Sequence, residues 1–410
     1  MDQNAISDIR EKIRTEILRE NYLSIINLVN YLVELAYNLK ASDMHIVPTA
    51  NFLRLRLRVD GSLHDEAPLP KIIHSEIVSR IKILSNLRTD EHQISQDGRF
   101  CTNLSGSNID IRVSIVPTYY GEDVVLRLLV NNSQDFDLNV LGFSELSIEK
   151  IMKSVSRPHG MILVTGPTGS GKTTTLYTIL KILNIPEVSI ITIEDPIEYS
   201  IEGINQIGVN SKTGLTFANG LRSVLRQDPN IIMVGEIRDQ ETAGLAVNTA
   251  LTGHLVLSTL HTNDAATTLP RLFDLKVEPY LIASTVNLVI GQRLVRKICT
   301  KCIKEIDSKK EIIDSLRGFI PSDVLSKKAT FYKGDGCQEC NFTGYRGRVC
   351  INEVLFLDNE IRRIINTKAT VDEIRNQARM QGMKSIIEDG FNKASSGITT
   401  IEEILRVLHE

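Results

Sequence analysis

Gly166-Pro167-Thr168-Gly169-Ser170-Gly171-Lys172-Thr173-Thr174 stands between an apolar run, Met161-Ile162-Leu163-Val164, and a segment of helical character, Thr175-Leu176-Tyr177-Thr178-Ile179-Leu180. The order is strand, glycine-rich loop, helix, and it satisfies G-x-x-x-x-G-K-[ST] without a mismatch. Glycines let the backbone turn its N–H groups toward a phosphate chain. The start of the helix adds unpaired donors and the positive end of its dipole. Lys172 can reach β- and γ-phosphates, and the Thr173 hydroxyl can ligate Mg²⁺. A chance glycine-rich turn would lack the flanking strand and helix.

Outward from this loop the chain alternates. Strands are expected at 161–165, 189–194, 231–235 and 255–260, and helices at 172–183, 217–227 and 239–252. Such alternation implies a mostly parallel sheet that binds ligands at the carboxyl ends of its strands. A helix is expected at about 279–297, then a cysteine-bearing, lysine-rich region to about 350. A helical tail follows over 358–410, with Asp372 and Thr399/Thr400 as caps. Upstream, residues 1–20 read as an exposed amphipathic helix and 21–40 as a helix with a broad buried face. Strands follow at 43–47 and 52–59, a helix at 69–87, and antiparallel strands over 98–130. Arg54, Arg56 and Arg58 alternate with Leu53, Leu55, Leu57 and Val59, so the arginines form a stripe whose simplest reading is a solvated face. Asn131-Asn132-Ser133-Gln134-Asp135 is polar and turn-like and reads as a linker.

Composition narrows the function. The 410 residues suggest two to four domains, and 42% hydrophobic with 24% charged residues is ordinary for a globular protein. A net charge of −3 gives no global electrostatic drive toward nucleic acid or membrane. Tryptophan is absent and aromatics make up 5%, which argues against base-stacking surfaces. No apolar run reaches the roughly 18 residues needed to span a bilayer. Met1-Asp2-Gln3-Asn4 opens no signal pattern, so a cytosolic location is expected. Six cysteines then read as metal ligands or buried thiols rather than disulfides.

An NTPase needs an acid beyond its phosphate loop to hold Mg²⁺ or its water. Ile231-Ile232-Met233-Val234-Gly235-Glu236, an apolar strand ending in a carboxylate, supplies it. Ile191-Thr192-Ile193-Glu194-Asp195-Pro196-Ile197-Glu198 clusters three acids beyond another strand end, where a base or water-positioning group belongs; the plain alternative is an acidic turn. His254 and His261 flank the strand Leu255–Leu260, and His261 could donate to a γ-phosphate; a lone histidine is more often structural. Cys299-x₂-Cys302 and Cys337-x₂-Cys340, 34 residues apart, can place four thiolates around Zn²⁺, the alternative being a reduced thiol set. Cys101 and Cys350 read as isolated buried residues.

Together these motifs resemble the bacterial secretion ATPases that power type II secretion and type IV pilus assembly. Asp195-Pro196-Ile197-Glu198 resembles their acidic box, and Arg226 to Asp239 their second nucleotide motif. Thr252-Gly253-His254 through Asn263 resembles their histidine box. Gly291-Gln292-Arg293-Leu294-Val295-Arg296 and Thr343-Gly344-Tyr345-Arg346-Gly347-Arg348 flank the cysteine pairs as in the family. Ala41-Ser42-Asp43-Met44-His45-Ile46 and Gln96-Asp97-Gly98-Arg99 also match, so the resemblance spans roughly 25 to 410.

The resemblance implies a homo-hexamer: a RecA-like P-loop α/β motor domain, a PAS-like α+β domain before it, a tetracysteine zinc subdomain and a helical tail. The expected boundaries are 1–20 extension, 21–135 PAS-like domain, 136–294 ATPase core, 295–350 zinc subdomain and 351–410 helical subdomain. It implies ATP, Mg²⁺ and Zn²⁺. Arg112 and Arg127 match family arginines that reach the nucleotide, Glu198 is the expected base with Glu194 a second acid of the box, and Glu236 organises Mg²⁺ and water. His254 and His261 line the site. The implied partner is an inner-membrane platform protein, with peripheral association at the cytoplasmic face and no nucleic acid. Family members usually carry a further N-terminal docking domain, and about 20 residues precede the matched region. The cysteine pairs argue for extension or secretion rather than pilus retraction. The rival readings are a RecA-like nucleic-acid motor, a retraction ATPase and a zinc-dependent scaffold without turnover.

Overall fold

The computed structural model describes residues 3–19, 23–104, 106–130, 137–306 and 330–409; the expected linker at 131–135 lies outside them. The chain divides into two compact units, Met1–Gln134 and Asp135–Glu410.

In the first unit α1 (Gln3–Ile17) and α2 (Ile25–Asn38) precede β1 (Ala41–Pro48), β2 (Phe52–Val59), β3 (Ser62–Asp65) and β4 (Leu69–Pro70). After α3 (His74–Leu84) come β5 (Gln96–Leu104), β6 (Ser107–Thr118) and β7 (Gly121–Val130). The strands form one antiparallel sheet in the order β3-β2-β1-β7-β6-β5, with β4 against β2. Ile6, Ile9 and Ile13 of α1 are buried in the same core as α2 and the alternating Leu53, Leu55 and Leu57 of β2. Two members of the arginine stripe on the opposite face are engaged: Arg54 pairs with Asp65 at 2.7 Å, and Arg58 donates to the Gly61 carbonyl at 3.0 Å and faces Asp43. Cys101, expected to be buried, is exposed and points its Sγ toward Asp110 at 3.7 Å.

The second unit opens with α4 (Leu138–Leu141) and α5 (Glu145–Val155), then β8 (Gly160–Thr165), α6 (Lys172–Leu183), β9 (Ile190–Glu194) and β10 (Asn205–Gly208). There follow α7 (Phe217–Val224), β11 (Ile231–Val234), α8 (Gln240–Leu251), β12 (Leu255–Leu260), α9 (Ala265–Asp274) and α10 (Pro279–Thr285). The chain continues through β13 (Val286–Ile298), β14 (Ile303–Ile306), β15 (Phe331–Gly334) and β16 (Tyr345–Phe356). It ends with α11 (Asn359–Asn366), α12 (Val371–Met380), α13 (Ile386–Ser395) and α14 (Ile401–His409). The main sheet has the order β10-β9-β11-β12-β8-β13-β16, parallel except where β16 meets β13. All six residues of β8 are buried, because helices cover both faces. Met161 and Leu163 pack with α8 and α9, while Ile162 and Val164 pack with α6.

The helix expected at about 279–297 is a correction: only Pro279–Thr285 is helical, and Val286–Ile298 is a long strand. The first half of this strand is buried on both faces, so it lacks the alternation that identifies a strand, and Gly291-Gln292-Arg293 breaks the apolar run. β13 and β16 also run across residues 295 and 350, so the sheet of the phosphate loop continues into the cysteine region. Asp372 is not a cap. Thr370 caps α12 in a capping box with Glu373, and Asp372 pairs with Arg375 in the first turn. Thr400 does act at its helix start, accepting from the Glu403 N–H at 3.3 Å. No helix among the described residues is long and apolar enough to cross a membrane.

Candidate active site and metal centre

Every parallel strand of the main sheet delivers its carboxyl end to the same edge. β8 delivers Gly166. Its φ is +144°, and a Cβ there would lie 2.4 Å from the Gln292 carbonyl oxygen, so only glycine lets the loop leave the strand at this angle. Gly171, also left-handed, starts α6. Lys172 Nζ folds back onto the Gly166 and Pro167 carbonyls at 2.9 and 3.0 Å, closing the loop into a cradle. Burial pushes the Lys172 ammonium below its ordinary range, and the Glu236 carboxylate opposes that shift. Ser170 is buried, with an Oγ that has no hydrogen-bond partner, an orphaned donor that a phosphate oxygen would satisfy. Pro167, Thr168 and Gly169 are exposed at the loop tip, and Thr173 and Thr174 are half-buried in the first turn of α6.

β11 delivers Glu236, which is 9% exposed. The Gly235 N–H donates to the Ile193 carbonyl at 2.8 Å, and Thr259 Oγ1 donates to the Gly235 carbonyl at 2.7 Å, so both neighbouring strands fix its position. Its oxygens face Arg238 Nη2 at 2.6 Å and His261 Nε2 at 3.3 Å. β12 delivers His261. Thr165, the last residue of β8, accepts the Thr262 N–H at 3.0 Å and donates to the Leu260 and Thr262 carbonyls, joining the histidine segment to the root of the phosphate loop.

His254 is a correction. It precedes β12, its carbonyl accepts the Gly160 N–H at the start of β8, and its ring contacts the Thr249 carbonyl at 3.1 Å. At roughly 3.3 Å per residue, the length of the strand, about 20 Å, separates it from the phosphate edge.

β9 delivers the acidic box. Glu194 is 3% exposed, and its carboxylate accepts from Tyr177 OH, from Thr192 Oγ1 at 2.5 Å and from Gln206 Nε2 at 3.1 Å. Glu198 lies beyond it on the half-buried turn before β10.

Three supports had no assigned role in the sequence reading. Gln292, fully buried, donates to the Ser170 carbonyl at 2.7 Å and accepts from Thr175 Oγ1 at 2.9 Å, bracing loop and helix from β13. Arg238 neutralises Glu236, and Thr165 joins two strand ends. The available signal was polarity: Gln292 and Thr165 interrupt or end apolar strands, where a buried polar group must have partners.

In the first unit Arg112 lies directly opposite Arg99 on β5 and Arg127 on β7, and Arg127 lies opposite Asp43. Arg127 Nε reaches Asp43 Oδ1 at 3.0 Å. Like charges set directly across a sheet are destabilising, and the Asp43 carboxylate offsets part of that here.

The four thiols of Cys299, Cys302, Cys337 and Cys340 lie within 4.8 Å of one another, with Sγ–Sγ distances of 3.7 to 3.9 Å among the closest pairs. A tetrahedron of roughly 2.3 Å Zn–S bonds has edges of about 3.8 Å. The Cys337 and Gly344 N–H groups donate to Cys340 Sγ at 3.2 and 3.3 Å, supporting a thiolate there. The cluster fits zinc. Residues 307–329, between the two knuckles, lie outside the described residues.

A phosphate loop on a parallel sheet, with acids at adjacent strand ends, defines a P-loop ATPase of α/β fold. Residues 19–406 match the family model described as Type II/IV secretion system protein, and the chain belongs to that family. It is 47% identical over 388 residues to the type II secretion system protein E of Xanthomonas campestris, covering 94% of this chain and 68% of that one. It is 46% identical over 377 residues to the type IV pilus assembly ATPase PilB of Thermus thermophilus, covering 92% and 42%. Among solved structures it resembles the pilus retraction motor PilT with bound ADP, with a TM-score of 0.62 and 26% identity over 92% of this chain and 95% of that one. The chain is an ATPase of this family.

Proposed function

We propose that this chain is a Mg²⁺-dependent motor that powers type IV pilus assembly or type II protein secretion from the cytoplasmic face of the bacterial inner membrane. The observation that carries the reading is the gathering of the phosphate loop, Glu236, His261 and the acidic loop at one edge of a parallel sheet. It is supported by relatives named for secretion and pilus assembly.

Lys172 and the loop N–H groups hold the β- and γ-phosphates of ATP. Thr173 and Glu236 would hold Mg²⁺, which when bound offsets phosphate charge. Glu198 orients a water and takes its proton as the water oxygen bonds to the γ-phosphorus and the bond to the β–γ bridging oxygen breaks. His261 senses the γ-phosphate. The family resemblance assigns Arg112 and Arg127 to the charge that develops in the transition state, a device worth roughly several kcal/mol in related NTPases. Cys299, Cys302, Cys337 and Cys340 would hold a structural Zn²⁺, which would tie the two knuckles together.

The working assembly is a homo-hexamer that reaches the membrane only through partners, chiefly an inner-membrane platform protein, and does not act on nucleic acid. Its parts are a PAS-like domain to about residue 134 that includes the helix expected as an extension at 1–20, and a second unit in which the ATPase core expected at 136–294 continues through β13 and β16 into the zinc subdomain (295–350) and the helical subdomain (351–410).

Phosphate release by the purified chain, with Lys172→Ala as control, tests the reading. Steady hydrolysis that Lys172→Ala abolishes and single-stranded DNA leaves unchanged is expected. Strong stimulation by DNA would favour a nucleic-acid motor, and no turnover by the wild type would favour a scaffold.

A further inference from the structure

The acidic loop between β9 and β10 has to hold Glu198 in register with phosphates that are bound by a different element, α6. One side chain spans the two. Tyr177, on α6 one and a half turns after Lys172, is fully buried. Its hydroxyl donates to Glu194 Oε2 and accepts from the Glu198 N–H at 3.4 Å and from Gln206 Nε2 at 3.3 Å. Its ring meets Tyr199 edge-on, with centroids 4.7 Å apart.

Gln206 completes the arrangement. Its Nε2 also donates to the Tyr199 carbonyl at 3.2 Å, and its Oε1 accepts the Ile201 N–H at 2.7 Å. Backbone groups of Glu198, Tyr199 and Ile201 therefore all end on Tyr177 or Gln206. Glu194 anchors this pair. Three donors converge on its two oxygens and its side chain is buried, so its lone pairs are directed at protein rather than at water. Burial and the neighbouring Glu194 push the Tyr177 phenol well above its usual range, so it stays a donor at any physiological pH.

We propose that Tyr177 is a positioning residue for the hydrolytic step, joining the phosphate-loop helix to the Glu198 backbone, and that Glu194 is its anchor rather than a second base. The inference rests on the reading of Glu198 as the group that activates water. Its physical basis is placement: a displacement of about 1 Å at a reacting group can cost on the order of 100-fold in rate while binding is kept.

The two members of the box then behave differently. Tyr177→Phe keeps the ring between α6 and Tyr199 but leaves Glu194 Oε2 and the Glu198 N–H without the hydroxyl. Glu194→Gln keeps an acceptor for Tyr177 at nearly unchanged shape.

The test is kcat for ATP hydrolysis alongside Kd for a non-hydrolysable ATP analogue, in wild type, Tyr177→Phe, Glu194→Gln and Glu198→Gln. The expected result for Tyr177→Phe is a fall in kcat of about tenfold or more, with Kd within about threefold. Glu194→Gln should lose less than about tenfold, and Glu198→Gln at least about 100-fold. Wild-type kcat in Tyr177→Phe would overturn the inference, as would a kcat loss matched by an equal loss of analogue affinity. Glu194→Gln as inactive as Glu198→Gln, both folded, would make Glu194 a base and overturn it as well. If Tyr177→Phe does not fold, the Glu194→Gln to Glu198→Gln ratio decides on the same terms. Wild-type turnover by Glu198→Gln would instead remove the reading of Glu198, a failure distinct from that of the Tyr177 link.

Discussion

Replacing Glu403 by glutamine should loosen the attachment of the last helix to the nucleotide-binding sheet, by an amount that can be worked out. The Glu403 side chain is 2% exposed. One oxygen accepts from Arg296 Nη2 at 2.5 Å and Arg406 Nε at 3.0 Å; the other accepts from the Arg296 N–H at 3.0 Å and Arg406 Nη2 at 2.9 Å. Burial alone would raise this carboxyl, but the two arginines outweigh it and hold the group down at about 2 from an ordinary 4.5. At roughly 1.4 kcal/mol per unit the shift corresponds to about 3 kcal/mol, and water around the part-exposed Arg406 reduces this to about 2 kcal/mol. For a unit of this size that is a drop of about 4–8 °C in melting temperature. The folded value lies below the unfolded one, so the stabilisation is complete above about pH 4.5 and fades as the pH falls toward 2. Thermal unfolding followed by circular dichroism at pH 7.5, 5.5 and 4 should show a constant gap between wild type and variant at the first two values and a smaller gap at the third. A gap below about 1 °C at pH 7.5, or one that widens in acid, would refute the reasoning.

Gly166→Ala should weaken binding of a fluorescent ATP analogue at least about tenfold, because a Cβ cannot sit 2.4 Å from the Gln292 oxygen without moving the loop; unchanged affinity would contradict the geometry. Glu353, which accepts the N–H groups of Ala265 and Ile386 at two helix starts, is pushed up by burial to about 7. Its folded value lies above the unfolded one, so the wild type loses stability as the pH rises through 7, and Glu353→Gln should gain on it between pH 5.5 and 8. A melting-temperature difference that stays flat across that range would count against it. Purified protein should carry one zinc per chain by elemental analysis, and a strong chelator should speed hydrogen exchange at Ile298 and Cys299, whose N–H groups bond to Ile398 and Gly344. Unaltered exchange there would remove the structural role of the metal.

The phosphate loop, the four parallel strands around it and the cysteine knuckles were legible in the sequence because each rests on local chemistry: glycine φ angles, buried apolar runs, ligand spacing. What was not legible depended on topology. His254 and His261 flank one strand symmetrically in sequence, and only the parallel sheet decides which end faces the phosphates. β13 resembled a helix because its first half is buried on both faces and shows no alternation. Glu194 and Glu198 are equivalent acids on paper, yet one is enclosed by Tyr177, Thr192 and Gln206 through contacts that no periodicity encodes. Cys101 looked like a core residue because cysteine usually is one, but it lies on the open face of its sheet.

The most direct measurement is phosphate release by Glu198→Gln set beside its binding of a non-hydrolysable ATP analogue. Binding within a few-fold of wild type together with a loss of at least about 100-fold in hydrolysis is predicted, since the cradle of Lys172 and the loop is untouched while the group that takes the water proton is gone. Hydrolysis at the wild-type rate by the folded variant would contradict the assignment of the site.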